Sequence, residues 1–274
     1  MKRLATALLM TATAALAADL QPSKDAGPYI PSPQSVVADM LRYADVGPHD
    51  FLIDLGSGDG RIVLTAAKVF GARGFGVEIK EDLVRRANDA AQKEGLADKV
   101  KFLKQDLFKT DISQATIITM YLLPDTVNLL KDKFLSELKP GTRIVSHDYP
   151  LTGWIPEKYL QMDLEDKIQI SGVTTTLIYL YIVPAKVAGK WEARMPPAIA
   201  KQPASLTLKQ QLTRVSGSLR LDGRDVPLED VRLRGEHLSF RLVGHKGEFS
   251  GTVKDGAIQG TIDGKTPWSA TLRG

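Results

Sequence analysis

The chain has 274 residues, with 36 lysines and arginines against 32 aspartates and glutamates, and 43% of its residues are hydrophobic. This balance excludes disordered, collagen-like and disulfide-stapled proteins, and the length suits one large or two small domains. Because the chain contains no cysteine, zinc ribbons, iron–sulfur sites and cysteine nucleophiles are excluded as well. The net charge of +4 is uneven: residues 18–186 carry 20 basic and 23 acidic side chains, and residues 187–274 carry 14 and 9.

The first 17 residues have the pattern of a secretory signal peptide. Lys2 and Arg3 precede an apolar stretch at residues 4–16, and a small-residue cleavage site ends at Ala17. We therefore expect cleavage after Ala17 and a periplasmic or secreted mature protein. An uncleaved anchor is the alternative, but crossing the hydrocarbon core takes about 20 apolar residues, and this stretch is shorter.

Residues 31–184 alternate between helix-like and strand-like runs, which predicts βα units and a mostly parallel sheet. Strands are expected at residues 51–55, 74–79, 100–103, 115–122 and 142–147. Helices are expected after Pro33 and at residues 61–70, 81–94 and 125–138. Residues 167–170 and 175–183 are expected to close the sheet as an antiparallel hairpin. These elements predict an α/β domain over residues 18–186.

The pattern changes after Pro184, since 11 of the 23 glycines lie in residues 187–274. Apolar residues alternate there between glycine-containing turns, which predicts a small up-and-down antiparallel β domain, barrel-like to hide its edges. We assign residues 187–204 to a linker and first strand and residues 205–274 to this β domain. Its arginines alternate with apolar residues; they include Arg214, Arg220, Arg232, Arg234 and Arg241. A solvated outer face is expected, and a dock for an acidic partner or anionic lipid headgroups is the alternative.

The strongest functional signal follows the first predicted strand, in the run Asp54-Leu55-Gly56-Ser57-Gly58-Asp59-Gly60. Three glycines at alternate positions let the backbone turn tightly and approach a ligand closely. The next helix presents free N–H groups that suit a carboxylate. A nicotinamide dinucleotide fold would place the third glycine one residue later, which disfavours an oxidoreductase. A turn that binds no ligand is the simpler alternative.

Two further acids follow the next two predicted strands. Glu78 ends the second strand, where a carboxylate can accept both hydroxyls of a ribose. Asp106 comes just beyond the third strand and suits the exocyclic amine of adenine. Either acid alone is more often an exposed loop charge. Together with Asp54, however, they lie at the carboxyl ends of the first three strands, where open α/β sheets bind ligands.

With these residues in place, the sequence resembles the class I S-adenosylmethionine-dependent methyltransferases over roughly residues 30–184. The resemblance implies a Rossmann-like, seven-stranded sheet and S-adenosyl-L-methionine as the cofactor. The glycine run would bind the methionine end, Glu78 the ribose and Asp106 the adenine. The implied cofactor-binding residues are Asp54, Gly56, Ser57, Gly58, Asp59, Gly60, Glu78 and Asp106.

A narrower resemblance is to the lysine-specific protein methyltransferases of mitochondria that modify the ATP synthase c-subunit or the adenine nucleotide translocase, and to their bacterial relatives. It is carried by Tyr29-Ile30-Pro31-Ser32-Pro33, by Tyr121-Leu122-Leu123-Pro124, and by Ser146-His147-Asp148-Tyr149-Pro150 with Gly153-Trp154. This resemblance implies a protein lysine as the methyl acceptor. The mitochondrial proteins have no counterpart to the glycine-rich C-terminal block, and their leader differs.

Methyl transfer from a sulfonium is an in-line displacement, so holding the nucleophile at contact distance supplies most of the catalysis. A lysine acceptor, with an ordinary pKa of about 10.4, has to reach the site as the neutral amine. The apolar loop after the fourth strand favours the neutral form. It also lacks the Asn-Pro-Pro-Tyr or Asp-Pro-Pro-Tyr signature of amide and base methyltransferases, which disfavours a DNA or glutamine substrate. A nucleic acid partner is therefore not expected.

Four residues are candidates for the acceptor side. We expect Tyr121 to orient the acceptor, Tyr29 to act as a lid over the cofactor, and His147 or Asp148 to take the proton. Core or surface roles are the simpler alternatives for all four. The other histidines are isolated in the sequence, so no metal site is expected.

The sequence leaves the substrate open between a protein lysine and a small molecule. A non-catalytic envelope protein is the alternative to an enzyme. Such a protein would keep the cofactor fold and bind its partner through the C-terminal β domain.

Overall fold

The computed structural model of the protein describes residues 29–200 and 202–273. The predicted signal peptide, residues 1–17, lies outside this part of the chain. Within the described residues, no helix has the length and apolar content needed to cross a membrane.

The first domain is built on one mixed sheet. Its strands are β1 (Phe51–Leu55), β2 (Arg73–Glu78), β3 (Val100–Lys104), β4 (Ile117–Met120), β5 (Arg143–His147), β6 (Lys158–Asp163) and β7 (Thr175–Ile182). The spatial order is β3-β2-β1-β4-β5-β7-β6. Strands β1 to β5 are parallel, and β7 is antiparallel to both of its neighbours. The expected seven-stranded sheet is confirmed, and its strand order reverses between β1 and β4, where such sheets bind ligands.

Helices cover both faces of the sheet. They are α1 (Gln34–Tyr43), α2 (Arg61–Phe70), α3 (Glu81–Lys93), α4 (Pro124–Leu129) and α5 (Lys131–Glu137). Side chains alternate between the two faces along each strand. Leu52 therefore packs in the core that contains α1 to α3, and Ile53 packs in the core that contains α4 and α5.

Two predicted elements of this domain differ in the structure. The single helix expected at residues 125–138 is the pair α4 and α5, which meet at the fully buried Leu130. The closing hairpin pairs β7 with β6, not with residues 167–170, because the register from Lys158 to Asp163 occupies that edge of β7. Residues 165–171 instead form a short 3-10 helix, Glu165–Lys167, and the one-turn helix α6 (Ile168–Ser171).

The second domain is a closed antiparallel barrel of eight strands in sequential order. Its strands are β8 (Gly189–Arg194), β9 (Ala204–Gln211), β10 (Arg214–Leu221), β11 (Arg224–Arg234), β12 (His237–Leu242), β13 (Glu248–Lys254), β14 (Ala257–Ile262) and β15 (Thr266–Leu272). Pairing of β15 with β8 closes the ring. Trp191, Phe240, Phe249 and Trp268 lie in its buried core. The expected small up-and-down β domain is confirmed, and its interior is filled by side chains.

The barrel contacts the first domain at the amino-terminal edge of the parallel strands. Arg234 forms an ion pair of 2.7 Å with Glu157, which directly precedes β6. The backbone N–H of Ala185 donates to the carbonyl of Gly235 over 2.8 Å. A Cβ at Gly235 would lie 3.0 Å from the Cα of Gly141, so the two backbones pack closely. The barrel therefore lies away from the carboxyl ends of β1 to β4.

One arginine ties together the elements at this amino-terminal edge. The guanidinium of Arg143 donates to the carbonyls of Ala44 and Asp45, over 2.6 and 2.8 Å, and pairs with the carboxylate of Asp50. Asp50 also accepts from the hydroxyl of Thr116 over 2.7 Å. The network joins the end of α1 to the starts of β1, β4 and β5.

Replacing Arg143 by methionine should lower the free energy of unfolding by about 3 kcal/mol, because a mostly buried carboxylate and two carbonyls lose their donor. The matched control is Arg42→Met, which removes an exposed ion pair with Asp39 and should cost less than about 1 kcal/mol. Urea denaturation of both variants measures the difference. Equal costs would show that the network does not hold the edge together.

Candidate active site

Three glycines in the loop between β1 and α2 have left-handed backbone conformations. Gly56, Gly58 and Gly60 have φ values of 79°, 53° and 83°, which residues with a Cβ rarely adopt. The N–H groups of Gly56 and Ser57 both donate to the carbonyl of Val77, over 3.0 and 2.9 Å, and hold the loop against β2. Oδ1 of Asp59 accepts from the N–H of Arg61, the first residue of α2, over 3.3 Å. The N-cap Gly60 has no side chain to bond the next N–H groups, so these can bind an anion.

Asp54 is a buried carboxylate at the end of β1. Its Oδ1 accepts from the hydroxyl of Thr119 on β4 over 2.7 Å. Its Oδ2, like the Oγ of Ser57, is buried and has no hydrogen-bond partner among the described residues. Burial raises the pKa of Asp54 to about 7, and the nearby charges of Glu78 and Asp59 add to the shift, which the Thr119 hydrogen bond opposes. This carboxylate thus lacks the cationic partner that a buried charge requires.

Glu78 is held by backbone N–H groups on both sides. Its Oε2 accepts from Gly58 over 3.1 Å, and its Oε1 accepts from Ile79 and Lys80 over 2.8 and 2.9 Å. The carboxylate therefore lies against the glycine loop at the end of β2. Asp106 lies beyond β3, and its Oδ1 accepts from the N–H of Phe108 over 2.9 Å.

Asp59 has a different environment from the other acids of the loop. Its carboxylate forms a two-pronged ion pair with Arg61, with contacts of 2.9 and 2.7 Å. Arg61 in turn donates to the carbonyl of Ser32 over 2.8 Å. The pair therefore holds the segment before α1 against the glycine loop. Hydrogen bonds and the charge of Arg61 lower the pKa of Asp59, although its partial burial opposes the shift.

Tyr29 lies over the glycine loop. A Cβ at Gly58 would lie 2.5 Å from Cε2 of the Tyr29 ring, so the ring contacts the loop at its middle glycine. The side chain is 39% exposed, and burial of the remainder, with the charge of Asp59, raises the pKa of its hydroxyl. The ring therefore covers the middle of the loop, and its role as a lid remains a prediction.

Tyr121 follows β4 and His147 ends β5, and their rings pack against each other. We call this carboxyl end of β4 and β5 the acceptor side of the sheet. The two ring centroids are 4.0 Å apart, with 31° between the planes. His147 is fully buried, and its Nδ1 is hydrogen-bonded to the hydroxyl of Ser32 over 2.8 Å. Burial lowers the pKa of His147 to about 4, so the imidazole is neutral at physiological pH. Its Nε2 is buried and makes no hydrogen bond to a described residue.

Asp148 completes the cluster from a left-handed backbone conformation, φ 63°. Its Oδ1 accepts from the ammonium of Lys167 over 2.7 Å and from the N–H of Leu177 over 3.1 Å. Burial and the adjacent Asp148 carboxylate raise the pKa of Tyr121 well above its usual range. Tyr121 therefore stays protonated.

Three residues of the site were not predicted from sequence in these roles. Thr119 is the one polar residue of β4, a local signal, since it lies opposite Asp54 in the parallel register. Ser32 was identified as part of a motif but not as the partner of His147. Lys167 carries no local signal, because an isolated lysine near isoleucines does not indicate a buried ammonium.

The donor set fits S-adenosyl-L-methionine. The orphaned oxygens of Asp54 and Ser57 can accept from the cofactor's ammonium group, and the start of α2 can bind its carboxylate. Glu78 and Asp106 lie at the ends of the next two strands, and their contacts with the ribose and the adenine remain predictions.

Comparisons with known proteins find methyltransferases. The model of the ANTKMT methyltransferase domain family matches residues 54–158. A protein-lysine N-methyltransferase of Saccharolobus islandicus (strain REY15A) is 40% identical over 157 residues, which cover 57% of this chain and 93% of that protein. The adenine nucleotide translocase lysine N-methyltransferase of Mus musculus is 37% identical over 105 residues, 38% of this chain and 46% of that protein.

A similar solved structure is that of an RNA methyltransferase from Salinibacter ruber in complex with S-adenosyl-L-homocysteine. It is 44% identical, with a TM-score of 0.52, and the match covers 58% of this chain and 96% of that one. The fold and the cofactor expected from the sequence are thereby confirmed.

Glu78→Ala should weaken binding of S-adenosyl-L-homocysteine at least tenfold, because a charge-assisted acceptor is worth about 1.5 to 3 kcal/mol. The control is Glu81→Ala, an exposed acid of α3 paired with Lys104, which should change affinity less than about twofold. Calorimetric titration measures both. A loss below threefold for Glu78→Ala would contradict the ribose assignment.

Asp54 should make the stability of the ligand-free protein depend on pH. Its folded pKa of about 7 exceeds the ordinary value of 3.8, so the native state retains a proton that the unfolded chain releases. The free energy of unfolding should therefore fall as pH rises from about 4 to about 7, by up to about 4 kcal/mol. Asp54→Asn should remove this decrease in urea denaturation at pH 4.5 to 8. Parallel pH curves for the two proteins would contradict the assignment.

Proposed function

We propose a function from one premise: this chain belongs to the family of S-adenosylmethionine-dependent protein-lysine methyltransferases. It is an enzyme of that class, and we infer that its acceptor is a lysine amine of a protein outside the cytosol. The observation that supports the acceptor best is the ring pair of the half-buried Tyr121 and the fully buried, neutral His147, which lie at the carboxyl ends of β4 and β5. A protein that binds the cofactor without catalysis is disfavoured, since the relatives named above are methyltransferases.

The residues of this chain position the two reactants. Asp54, Ser57 and the start of α2 hold the amino acid end of the cofactor, and Glu78 and Asp106 hold its nucleoside. When bound, the cofactor supplies a methyl group on a positively charged sulfur. The acceptor amine then needs contact distance and a free lone pair, because the N–C bond forms as the S–C bond breaks.

Tyr121, which is half-buried, would contact the acceptor side chain, and the fully buried His147 packs against its ring. Their stacked rings form an apolar wall, which favours the neutral amine by desolvation. With a pKa of about 4, His147 is too weak a base to take a proton from the methylated ammonium, so we assign it to packing against Tyr121 and not to proton removal.

A second candidate function is methylation of RNA, because the similar protein from Salinibacter ruber is described as an RNA methyltransferase. Against it, the loop after β4 reads Tyr121-Leu122-Leu123-Pro124 and lacks the signature of base methyltransferases. The net negative charge of residues 18–186 also disfavours a phosphate backbone.

The location and the role of the barrel are part of the proposal. We infer export from the pattern of residues 1–17. The barrel contacts the amino-terminal edge of the sheet, away from the cleft. This position supports a role in envelope or membrane-surface contact through its basic strands, not in binding the cofactor.

Incubating an envelope protein fraction with purified protein and radiolabelled S-adenosyl-L-methionine should label protein, and mass spectrometry should find the added methyl groups on lysines. Glu78→Ala should label at least tenfold less, since it weakens cofactor binding. Label that is resistant to protease and sensitive to ribonuclease would favour RNA as the substrate. No transfer to any protein or RNA fraction would contradict the proposed function.

A further inference from the structure

Lys167 is a buried lysine next to Asp148, on the acceptor side of the sheet. Only 2% of its surface is exposed. Its ammonium donates to Oδ1 of Asp148 over 2.7 Å and to the carbonyl of Thr175. A buried ammonium is costly unless it is paired and hydrogen-bonded, and here it is both. The ion pair is therefore a built feature of the site and not a surface contact.

Several titratable groups face this ion pair from the surrounding elements. They are His147 at the end of β5, Tyr121 after β4, Tyr149 after β5 and Tyr179 on β7. His147 is neutral, since burial lowers its pKa to about 4. Burial and Asp148 raise the pKa values of Tyr121 and Tyr179. Among the described side chains of this group, Asp148 and Lys167 carry opposite charges that offset each other.

We propose that Lys167 is the counter-ion that keeps the acceptor side of the cleft electrically neutral, so that the acceptor lysine binds as the free amine. The proposal rests on the proposed function, because it concerns a lysine acceptor. Lys167 acts through Asp148 and is therefore a positioning residue.

The physical reason is competition for Asp148. An unpaired carboxylate beside the acceptor would bind the incoming ammonium and stabilise its charged form, which has no lone pair for the methyl group. Lys167 occupies that carboxylate, so the acceptor meets an apolar wall and uncharged polar groups.

Two orphaned atoms near the pair suit a neutral amine. Nε2 of His147 and Oγ1 of Thr176 are buried and make no hydrogen bond within the described part of the chain. Ile178 lies opposite His147 in the β5–β7 register, and Thr176 lies on the same face of β7, two residues away. These atoms carry no charge, so they attract an ammonium less strongly than an unpaired carboxylate would.

Proton release tests the proposal without methyl transfer. n-Butylamine has the length of a lysine side chain, and it is titrated at pH 8 into the full chain saturated with S-adenosyl-L-homocysteine. Calorimetry in two buffers of different ionisation enthalpy counts the protons released. The wild type should release about one proton per bound amine, because the free amine has an ordinary pKa well above 8.

Variants separate charge from structure. Lys167→Met leaves Asp148 unpaired and should abolish most of the proton release. The double variant Lys167→Met/Asp148→Asn restores neutrality and should restore the release. The control Lys133→Met removes another mostly buried lysine–carboxylate pair, 2.7 Å from Glu137 on α5, and should release protons as the wild type does.

The pH dependence of methyl transfer gives a second readout. Using the protein lysine found by the labelling experiment, Lys167→Met should raise the apparent pKa of kcat/KM by about one to two units.

Wild-type protein that binds no butylamine, or binds it without proton release, overturns the proposal whatever the variants do. A double variant that fails to restore the release also overturns it, since a purely structural role predicts that result. Labelled protein lysines together with no proton release would contradict this inference alone. Absence of any labelled lysine would contradict the proposed function.

Discussion

The close approach of the loop between β1 and α2 to the end of β2 is the constraint on which the rest of the cleft depends. Two N–H groups share the carbonyl of Val77, and a Cβ at Gly76 would lie 2.4 Å from the Cβ of Ser57. The absence of a side chain at Gly76 lets the loop pack against β2. The same contact points Glu78 back at Gly58 and keeps Asp54 buried.

The short segment before α1 connects the two halves of the cleft. Tyr29 covers Gly58, the carbonyl of Ser32 accepts from Arg61, and the hydroxyl of Ser32 bonds His147. A segment of a few residues therefore contacts both the cofactor loop and the acceptor cluster. Movement of this segment would change both sides together, which explains why a motif outside the glycine loop belongs to the site.

The barrel and the sheet are separate structural units, and each has its own core. The barrel core is complete in itself, with Phe240, Phe249 and Trp268 stacked or edge-on to one another. Its contacts lie at the amino-terminal edge, where Arg143 also ties the strands together. The barrel therefore leaves the carboxyl-terminal edge, which carries the glycine loop and the acids, accessible to the cofactor and the acceptor.

Much of the fold and half of the site could be predicted from sequence. The glycine loop, Glu78 and Asp106 were predictable because left-handed turns need glycine locally and each acid directly follows a strand. The barrel was predictable from period-two alternation between turns. The prediction for the first strand of the closing hairpin was wrong. The short alternating run at residues 167–170 resembles a strand in sequence, but β6 pairs with that edge of β7 instead.

The sequence by itself determined the sheet, the barrel and the cofactor loop, because backbone sterics and hydrophobic periodicity act over neighbouring residues. Only the tertiary structure decided the acceptor side. Ser32 and His147 are 115 residues apart, and Asp148 and Lys167 are 19 apart. The neutrality of His147 and the counter-ion of Asp148 depend on burial and on distances between remote residues, and these exist only once the chain has folded.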